Sequence, residues 1–471
     1  MPPMRLSINL DRVLVQLEQL FVVVTIIVFL GPFALILPDD PLAGSPQVRI
    51  MFIGFYIVAG GFLLREYRSR PTAFRLSPIM LLIACLLAIS IASTMWSILP
   101  HITWRRAMAL AGTTVVGLYL GCRLSIFEIL RLTAVSLTLV VVGTIVACLL
   151  APGQAVHQEI HVGAWRGLFY HKNQLGEAML EGILIFVALA TSEKSSRFKL
   201  IELGLAAVAA FVLIMAQSAT ALACLGLFLL VLLALRVPRL AAYVFGAILA
   251  ATLLTMVGMF GGSFCILSLI GRDCTFTNRT EIWGLVWSAI MERPWTGYGF
   301  GAFWVGESDL GNAIRAKLGW AETLSEAHNA WLETWLSIGI VGLAVAISVL
   351  LAISVKVLRR AGARKQAATD AWTVWSVGFV LTVWVYSLTE SVFPSYNTLT
   401  WVLFIVLSVK TECFGQSSSE SGLPSGPARV HTGSLVHRWG RCRDDERNEV
   451  RLRHVVLADA VAVDRIEALR Q

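Results

Sequence analysis

Charge is what this sequence has least of. Asp, Glu, Lys and Arg make up 14% of its 471 residues, where an ordinary soluble domain carries about a quarter. That shortage excludes a water-soluble globular protein of this length, as do the 57% hydrophobic content and the mean hydropathy of +0.74. The apolar runs lack the alternation of barrel strands, so the bilayer-crossing architecture left is helical. Cysteine is thin as well. There are eight, with no C-x-x-C pair, and Cys85, Cys148 and Cys224 lie inside apolar runs. This argues against a zinc framework and for small buried or lipid-facing side chains. Also missing are a G-x-S-x-G nucleophile motif, an internal repeat and any RNA or DNA motif. The formal charge of +8 is therefore not a nucleic-acid signal.

What is present is a series of apolar runs near twenty residues long. Twelve spans are predicted, at roughly 20–37, 48–64, 77–95, 105–121, 132–150, 174–191, 200–216, 220–236, 241–260, 329–353, 371–390 and 396–410. The fold class expected is all-α, a polytopic bundle with a long polar loop between its ninth and tenth spans. Ser7 to Gln19 is polar and amphipathic and no small-residue cleavage site follows, so the first run reads as a membrane helix rather than a leader. Three regions result: a cytoplasmic N-terminus at 1–19, a membrane domain at 20–410 and a cytoplasmic tail at 411–471. The tail opens Ser-, Gly- and Pro-rich, turns highly charged after Arg438 and reads as disordered, although Val455 to Leu469 has amphipathic spacing.

Basic residues fall in alternate connections, as in Arg65, Arg68, Arg70 and Arg75, or Lys356, Arg359, Arg360, Arg364 and Lys365. Those connections are expected in the cytoplasm, with both termini. Outside then lie 151–173, the long loop 261–328 and a short link around Glu390 to Asn397. Arg105-Arg106 is an exception, a cationic pair on the outer side. Cys265 and Cys274 share the long outer loop; that compartment permits a disulfide, and two cysteines alone leave the pairing open.

The outer segments hold the chemistry. The first ends Trp165-Arg166-Gly167-Leu168-Phe169-Tyr170-His171-Lys172-Asn173-Gln174-Leu175-Gly176. It sets Arg166 and Lys172 at the start of a helix, whose free N–H groups attract anions. Interfacial anchoring by Trp, Tyr and Lys is the simpler account of the same residues. Glu177 and Glu181 follow on one helix face and need a cation or a polar cavity. The second segment contains Asn278-Arg279-Thr280-Glu281-Ile282-Trp283 and Glu292-Arg293-Pro294-Trp295-Thr296-Gly297-Tyr298-Gly299-Phe300-Gly301. Ile282, Leu285, Val286, Ala289 and Ile290 predict a short amphipathic helix at the membrane surface, broken by Pro294. No strand precedes the three glycines, so they read as a turn for close backbone approach and not as a dinucleotide loop. His328-Asn329 opens the next apolar helix. A histidine there is usually a cap or a packed polar residue, and its tunable charge also suits base work, with Glu326 and Glu333 near enough to orient it. His157 and His161 have zinc-protease spacing, but without the carboxylate in second position a metal site is not expected.

Taken together, Arg166-Gly167-Leu168-Phe169, His171 to Gly176, Asn278 to Trp283, Glu292 to Gly299, and His328-Asn329 followed after nine residues by Gly339-x-x-Gly342 resemble the O-antigen ligase and O-antigen polymerase superfamily of bacterial membrane glycosyltransferases. The resemblance covers roughly residues 20–410, and the versions here look most like exopolysaccharide repeat-unit polymerases. It implies a GT-C-like helical bundle in the bacterial inner membrane with its active site on the periplasmic side. The donor implied is a polyprenyl-diphosphate-linked oligosaccharide, transferred to a glycan acceptor with inversion and without a metal or other cofactor. Partners implied are the bilayer and polysaccharide chain-length and export proteins. By position, Arg166 and Arg279 would hold the diphosphate and His328 would activate the acceptor hydroxyl. Lys172, His171, Asn173, Arg272, Glu281 and Asn329 are the substrate-binding candidates. Arg105-Arg106 could face the same site. Transfer to lipid A-core by a ligase is the nearest alternative. A polysaccharide or lipid transporter is the alternative from another class, disfavoured because the polar residues crowd at one face.

Overall fold

The computed structural model describes residues 10–35, 45–69, 77–158, 161–235, 279–318, 324–363 and 370–413, with scattered positions between 243 and 247. Most of the predicted ninth span, together with Arg272, Cys265, Cys274 and the tail beyond 413, lies outside the described residues.

Apolar runs become helices because a chain inside lipid must satisfy its own backbone groups. In chain order they are α1 Leu10–Leu30, α2 Pro46–Ser69, α3 Pro78–Ala92, α4 Pro100–Arg123, α5 Ile126–Leu150, the single turn α6 Pro152–Ala155, α7 Lys172–Ser192, α8 Ser196–Ala216, α9 Ala219–Ala234, α10 Arg279–Glu292, α11 Asp309–Leu318, α12 Ala330–Ala363, α13 Ala371–Tyr386 and α14 Leu399–Cys413. Among the described residues there is no strand, only an isolated antiparallel bridge between Val156 and Trp165. Among the described residues, seven helices are long and apolar enough to cross a membrane: α1, α2, α3 with its following turn, α5, α7, α8 and α12. The apolar α9 and α13 are shorter, so the expected count of about twelve is not established by these helices.

Two boundaries differ from the sequence reading for identifiable reasons. The first helix starts at Leu10, inside the stretch read as cytoplasmic. Glu18 on it accepts from Arg123 Nε at 2.9 Å and Tyr119 Oη at 3.1 Å on α4, so a distant partner carries a charge that looked incompatible with a span. The same helix stops at Leu30, before Gly31-Pro32, since Gly and Pro break helices.

Helix α7 is buried nearly all round, with 78% of its apolar window inside the protein, the mark of a central helix. It packs on α8 and α13, while α4 packs on α2 and α14, and α12 on α3. One end of the bundle gathers the ends of α4 and α14 and the start of α1, tied by Lys410 Nζ donating to the Leu124 carbonyl at 2.6 Å and by the Arg123–Glu18 pair. The opposite end collects the starts of α4, α7, α12 and α14. There the segment between α10 and α12 is fastened over the bundle, as when Ile98 N donates to the Tyr298 carbonyl at 3.1 Å.

That segment has its own core. Ile282, Val286 and Ile290 of α10 bury against Tyr298, Phe303, Trp304 and Leu336. The amphipathic face expected to lie on the membrane surface therefore faces protein. Arg315 on α11 is 1% exposed and staples the segment, donating to the carbonyls of Trp304 at 3.0 Å and Leu324 at 3.1 Å. The glycine motifs are explained here too. Helix α12 is broken at Gly339, which has φ +73°, and a Cβ there would sit 1.9 Å from the Trp295 carbonyl oxygen. Gly297 likewise abuts the Leu336 carbonyl, where a Cβ would come within 2.6 Å. The Glu292 to Gly299 turn thus docks backbone to backbone on a kinked helix, with Ile340 N donating to the Pro294 carbonyl at 3.0 Å.

Candidate active site

Three separate stretches deliver side chains to one carboxylate, that of Glu390, in the link between α13 and α14. Its Oε1 accepts from Asn173 Nδ2 at 2.7 Å and from an Arg279 terminal nitrogen at 2.8 Å. Its Oε2 lies 3.0 Å from His328 Nδ1. Glu326 Oε1 approaches the same His328 nitrogen at 3.1 Å. Asn173 comes from the start of α7, Arg279 from the start of α10 and His328 from the entry to α12. Three motifs that are 217, 111 and 62 residues from Glu390 in sequence therefore meet at it.

The local structure explains each placement. His328 has φ +50°, a left-handed conformation that costs a non-glycine residue about 1–2 kcal/mol; such strain tends to be stored at functional sites. Asn329 follows as the cap of α12, its Oδ1 accepting from Trp331 N and Leu332 N at 3.0 Å and its Nδ2 donating to the Leu388 carbonyl at 3.1 Å. Asn329 is 1% exposed, and the contacts given for it are those of a helix cap. Glu333 does not orient His328. It accepts from Ala327 N at 2.9 Å and Trp304 Nε1 at 2.8 Å, fixing the backbone just ahead of it. On the other motif, His171 caps α7, its Nδ1 accepting from Asn173 N at 3.2 Å. Lys172 Nζ donates to the Gln217 carbonyl at 3.3 Å and feels both Arg279 and Glu390.

Charge is distributed unevenly. Burial works against a charged His328, but hydrogen bonds and attraction from Glu326 and Glu390 outweigh it and push its pKa up to about 10. Burial would raise Glu326, yet the hydrogen bond from His328 holds its carboxyl below the usual range. His157, His161 and His171 behave oppositely. Their rings pack edge to face with centroids 5.5–5.8 Å apart. Burial first, then neighbouring positive charge, drives His157 and His171 down to about 4 and lowers His161. His171 therefore caps α7, and its surroundings disfavour a positive charge on the ring.

Arg166 and Glu281 do not reach the Glu390 cluster. Arg166 Nε donates to the Gln154 carbonyl at 2.6 Å and its charge is felt by His157. Glu281 is exposed on α10. Glu177 and Glu181 find a hydroxyl rather than a cation: Thr400 Oγ1 on α14 lies 2.7 and 2.9 Å from them. Glu390 itself was missed as a site residue. It sits in no motif, and its signal was a lone carboxylate at the end of an apolar run, which must find a partner.

Among the described residues, Glu326, His328 and Glu390 bring one ligand atom each within 4.8 Å of one another, close enough for a metal ion. The donor set fits poorly. A metal would displace the proton from His328 Nδ1 and compete with Arg279, which already neutralises Glu390.

The arrangement can bind an anion with Arg279 and Lys172, and it can move a proton at His328 with two carboxylates behind it. The family model described as O-antigen ligase matches residues 204–347, a stretch that holds Arg279, Glu326, His328, Gly339 and Gly342 but not Asn173 or Glu390. The chain is also 29% identical over 197 residues to the exopolysaccharide production protein ExoQ of Rhizobium meliloti (strain 1021), a match covering 39% of this chain and 44% of that protein. The chain therefore matches less than half of that relative's length. By these two sequence matches, this membrane protein resembles the O-antigen ligase-like and exopolysaccharide polymerase family.

Proposed function

We propose that the protein is a glycosyltransferase that lengthens an exopolysaccharide, moving a glycan from a polyprenyl diphosphate to the hydroxyl of an acceptor sugar on the periplasmic face of the inner membrane. The observation that carries this reading is the convergence of Arg279, His328 and Asn173 on Glu390. A diphosphate leaving group carries developing negative charge, and guanidinium forks match phosphate oxygens. Stabilising that charge does more for the rate than anything else such a site can supply. Arg279, with Lys172 beside it, is placed to do so.

In the transfer, the acceptor oxygen attacks the anomeric carbon. The bond to the diphosphate oxygen breaks, and its electron pair leaves with the diphosphate. Attack from the face opposite the leaving group inverts the anomeric centre. The acceptor proton passes to the unprotonated imidazole of His328, whose Nδ1–H points at Glu390 and Glu326 and whose Nε2 is left for the acceptor. Glu390 is a positioning residue in this scheme, since it reaches the substrate through His328 and Arg279.

A ligase reading has its own support, because the matching family model carries the description O-antigen ligase. The test presents both acceptors to the purified protein with a polyprenyl-diphosphate oligosaccharide and no nucleotide sugar. Growth of the glycan on the repeat-unit acceptor supports the polymerase. Transfer to lipid A-core supports the ligase. Turnover of neither, by protein that stays folded, refutes glycan transfer.

A further inference from the structure

A second set of cations stands at the same end of the bundle, and nothing in the transfer described above uses it. Arg105 and Arg106 break the charge rule of the connecting loops, and the structure shows where they go. Arg106 donates to the Gly301 carbonyl and lies over the Tyr396 ring, 5.7 Å from its centroid. Arg105, beside it on α4, is half-buried, senses Arg49 of α2 and Arg106, and donates to no protein acceptor among the described residues. Among the described residues, Arg49 reaches the Ser45 carbonyl at a long 3.4 Å and no other acceptor. The acidic groups that face them are Glu307, already 3.2 Å from His101 and exposed, and Glu333, which binds Trp304 and Ala327. Among the described residues, these three guanidinium groups have no carboxylate paired with them, which makes an incomplete arrangement.

A short link joins these cations to the active site. The connection between α13 and α14 has Glu390 at one end, with Arg279, and Tyr396 at the other, under Arg106. Its far end is bolted to α4, where Asn397 N donates to Thr113 Oγ1 at 3.0 Å, and to Tyr56 of α2. Six residues of chain reach at most about 20 Å, which bounds the separation of Glu390 from Tyr396. One cationic group lies on each side of a short fixed link, at the same end of the bundle.

We propose that Arg49, Arg105 and Arg106 form a second diphosphate site, which holds the lipid carrier of the acceptor while Arg279 holds that of the donor. The inference rests on the polymerase reading. Joining two lipid-borne repeat units requires two diphosphates at once, whereas transfer to lipid A-core requires one. Two or three guanidinium groups match the charge of one diphosphate diester and its planar oxygen pairs.

The test counts bound polyprenyl diphosphate by native mass spectrometry of the purified full chain in detergent, so it needs no turnover. The wild type should bind two equivalents, Arg105→Gln one, Arg279→Gln one and the double variant none. Each single variant carries its own control for folding in the equivalent it retains. Arg105→Lys keeps charge without the fork and should recover the second equivalent in part, about tenfold weaker than wild type. One equivalent in the wild type, or two retained in Arg105→Gln, would overturn the proposal. So would displacement of the second equivalent by phosphatidylglycerol at equal concentration, which would make this a headgroup contact. In turnover, the preference for a diphosphate-linked acceptor over the same repeat unit on a neutral alkyl chain should collapse in Arg105→Gln. Two bound equivalents without any glycan elongation would leave this site standing and remove the polymerase reading.

Discussion

Glu390 holds His328 by its imidazole Nδ1 at 3.0 Å, while its other oxygen holds Arg279 at 2.8 Å. One carboxylate thus couples the group that would take the acceptor proton to the group that would meet the departing diphosphate. Binding of an anion by Arg279 weakens its hold on Glu390 and leaves more of that negative charge for the imidazole. Substrate binding and basicity are linked through a single side chain.

The pH dependence follows from this pairing. The His328 pKa, pushed up to about 10 by Glu326 and Glu390 against the effect of burial, leaves only a small free-base fraction at pH 7. If that fraction takes the acceptor proton, the transfer rate should rise about tenfold per pH unit through the neutral range and level off near pH 10. Glu390→Gln removes one of the two carboxylates and should bring the plateau down by roughly one to three units. Because the folded-state pKa is raised, the pairing adds stability that is complete below the ordinary histidine value and is lost as pH climbs through about 10. A rate independent of pH between 7 and 9 would show that His328 works as a fixed cation and not as a base.

Arg279 is expected to act on the leaving group. Arg279→Ala should lower kcat by about 100- to 1000-fold, the scale of losing a principal charge-stabilising donor. Arg279→Lys should recover only a small part of it, since an ammonium lacks the two-pronged geometry. The measurement is a steady-state comparison on folded, reconstituted protein. A change confined to donor KM would mean that Arg279 binds the ground state and the departing charge equally.

Much of this architecture could be read from the sequence, because apolar runs of membrane length have one structural solution. Predicted spans such as 132–150, 174–191 and 200–216 fall within α5, α7 and α8. The helix over Ile282 to Ile290 was legible from its spacing, and its end before Pro294 from the proline. Which surface it buries against was not, since apolar periodicity looks the same toward lipid and toward Tyr298 and Phe303. Arg279 and His328 stood out by motif. Glu390 did not, because its partners are far away in the chain and a lone glutamate has no local pattern. His171 stood out as a substrate-binding candidate, whereas its burial beside His157 and His161, which disfavours a charge on it, has no local sequence signal.

Gly339 tests the docking of the outer segment. Gly339→Ala places a methyl against the Trp295 carbonyl, a backbone group that cannot rotate away, at a φ of +73° that alanine resists. The expected result is a loss of several kcal/mol of stability, a lower melting temperature and little transfer activity. Gly54→Ala and Gly204→Ala, where an added methyl meets nothing within 4 Å, are the controls and should melt at or above the wild-type temperature. A stable and active Gly339→Ala would mean that the turn from Glu292 to Gly299 does not sit on α12 as described.

Asn329 separates a structural role from a chemical one beside the same histidine. Its side chain satisfies two free N–H groups of α12 and the Leu388 carbonyl from a buried position. Asn329→Ala should cost about 1–2 kcal/mol, the usual value of a cap, and should lower activity because His328 is the preceding residue on the same strained turn. Asn329→Asp and Asn329→Ser keep an acceptor for the N–H groups, so they should recover most of the melting temperature. Activity should recover in step with it if the side chain only fixes the backbone. A direct contact with substrate predicts something different: both variants would melt like the wild type yet stay slow, with acceptor KM raised. Melting curves and initial rates on the same preparations distinguish the two, and the hydrogen bonds at 3.0 Å to Trp331 and Leu332 favour the first.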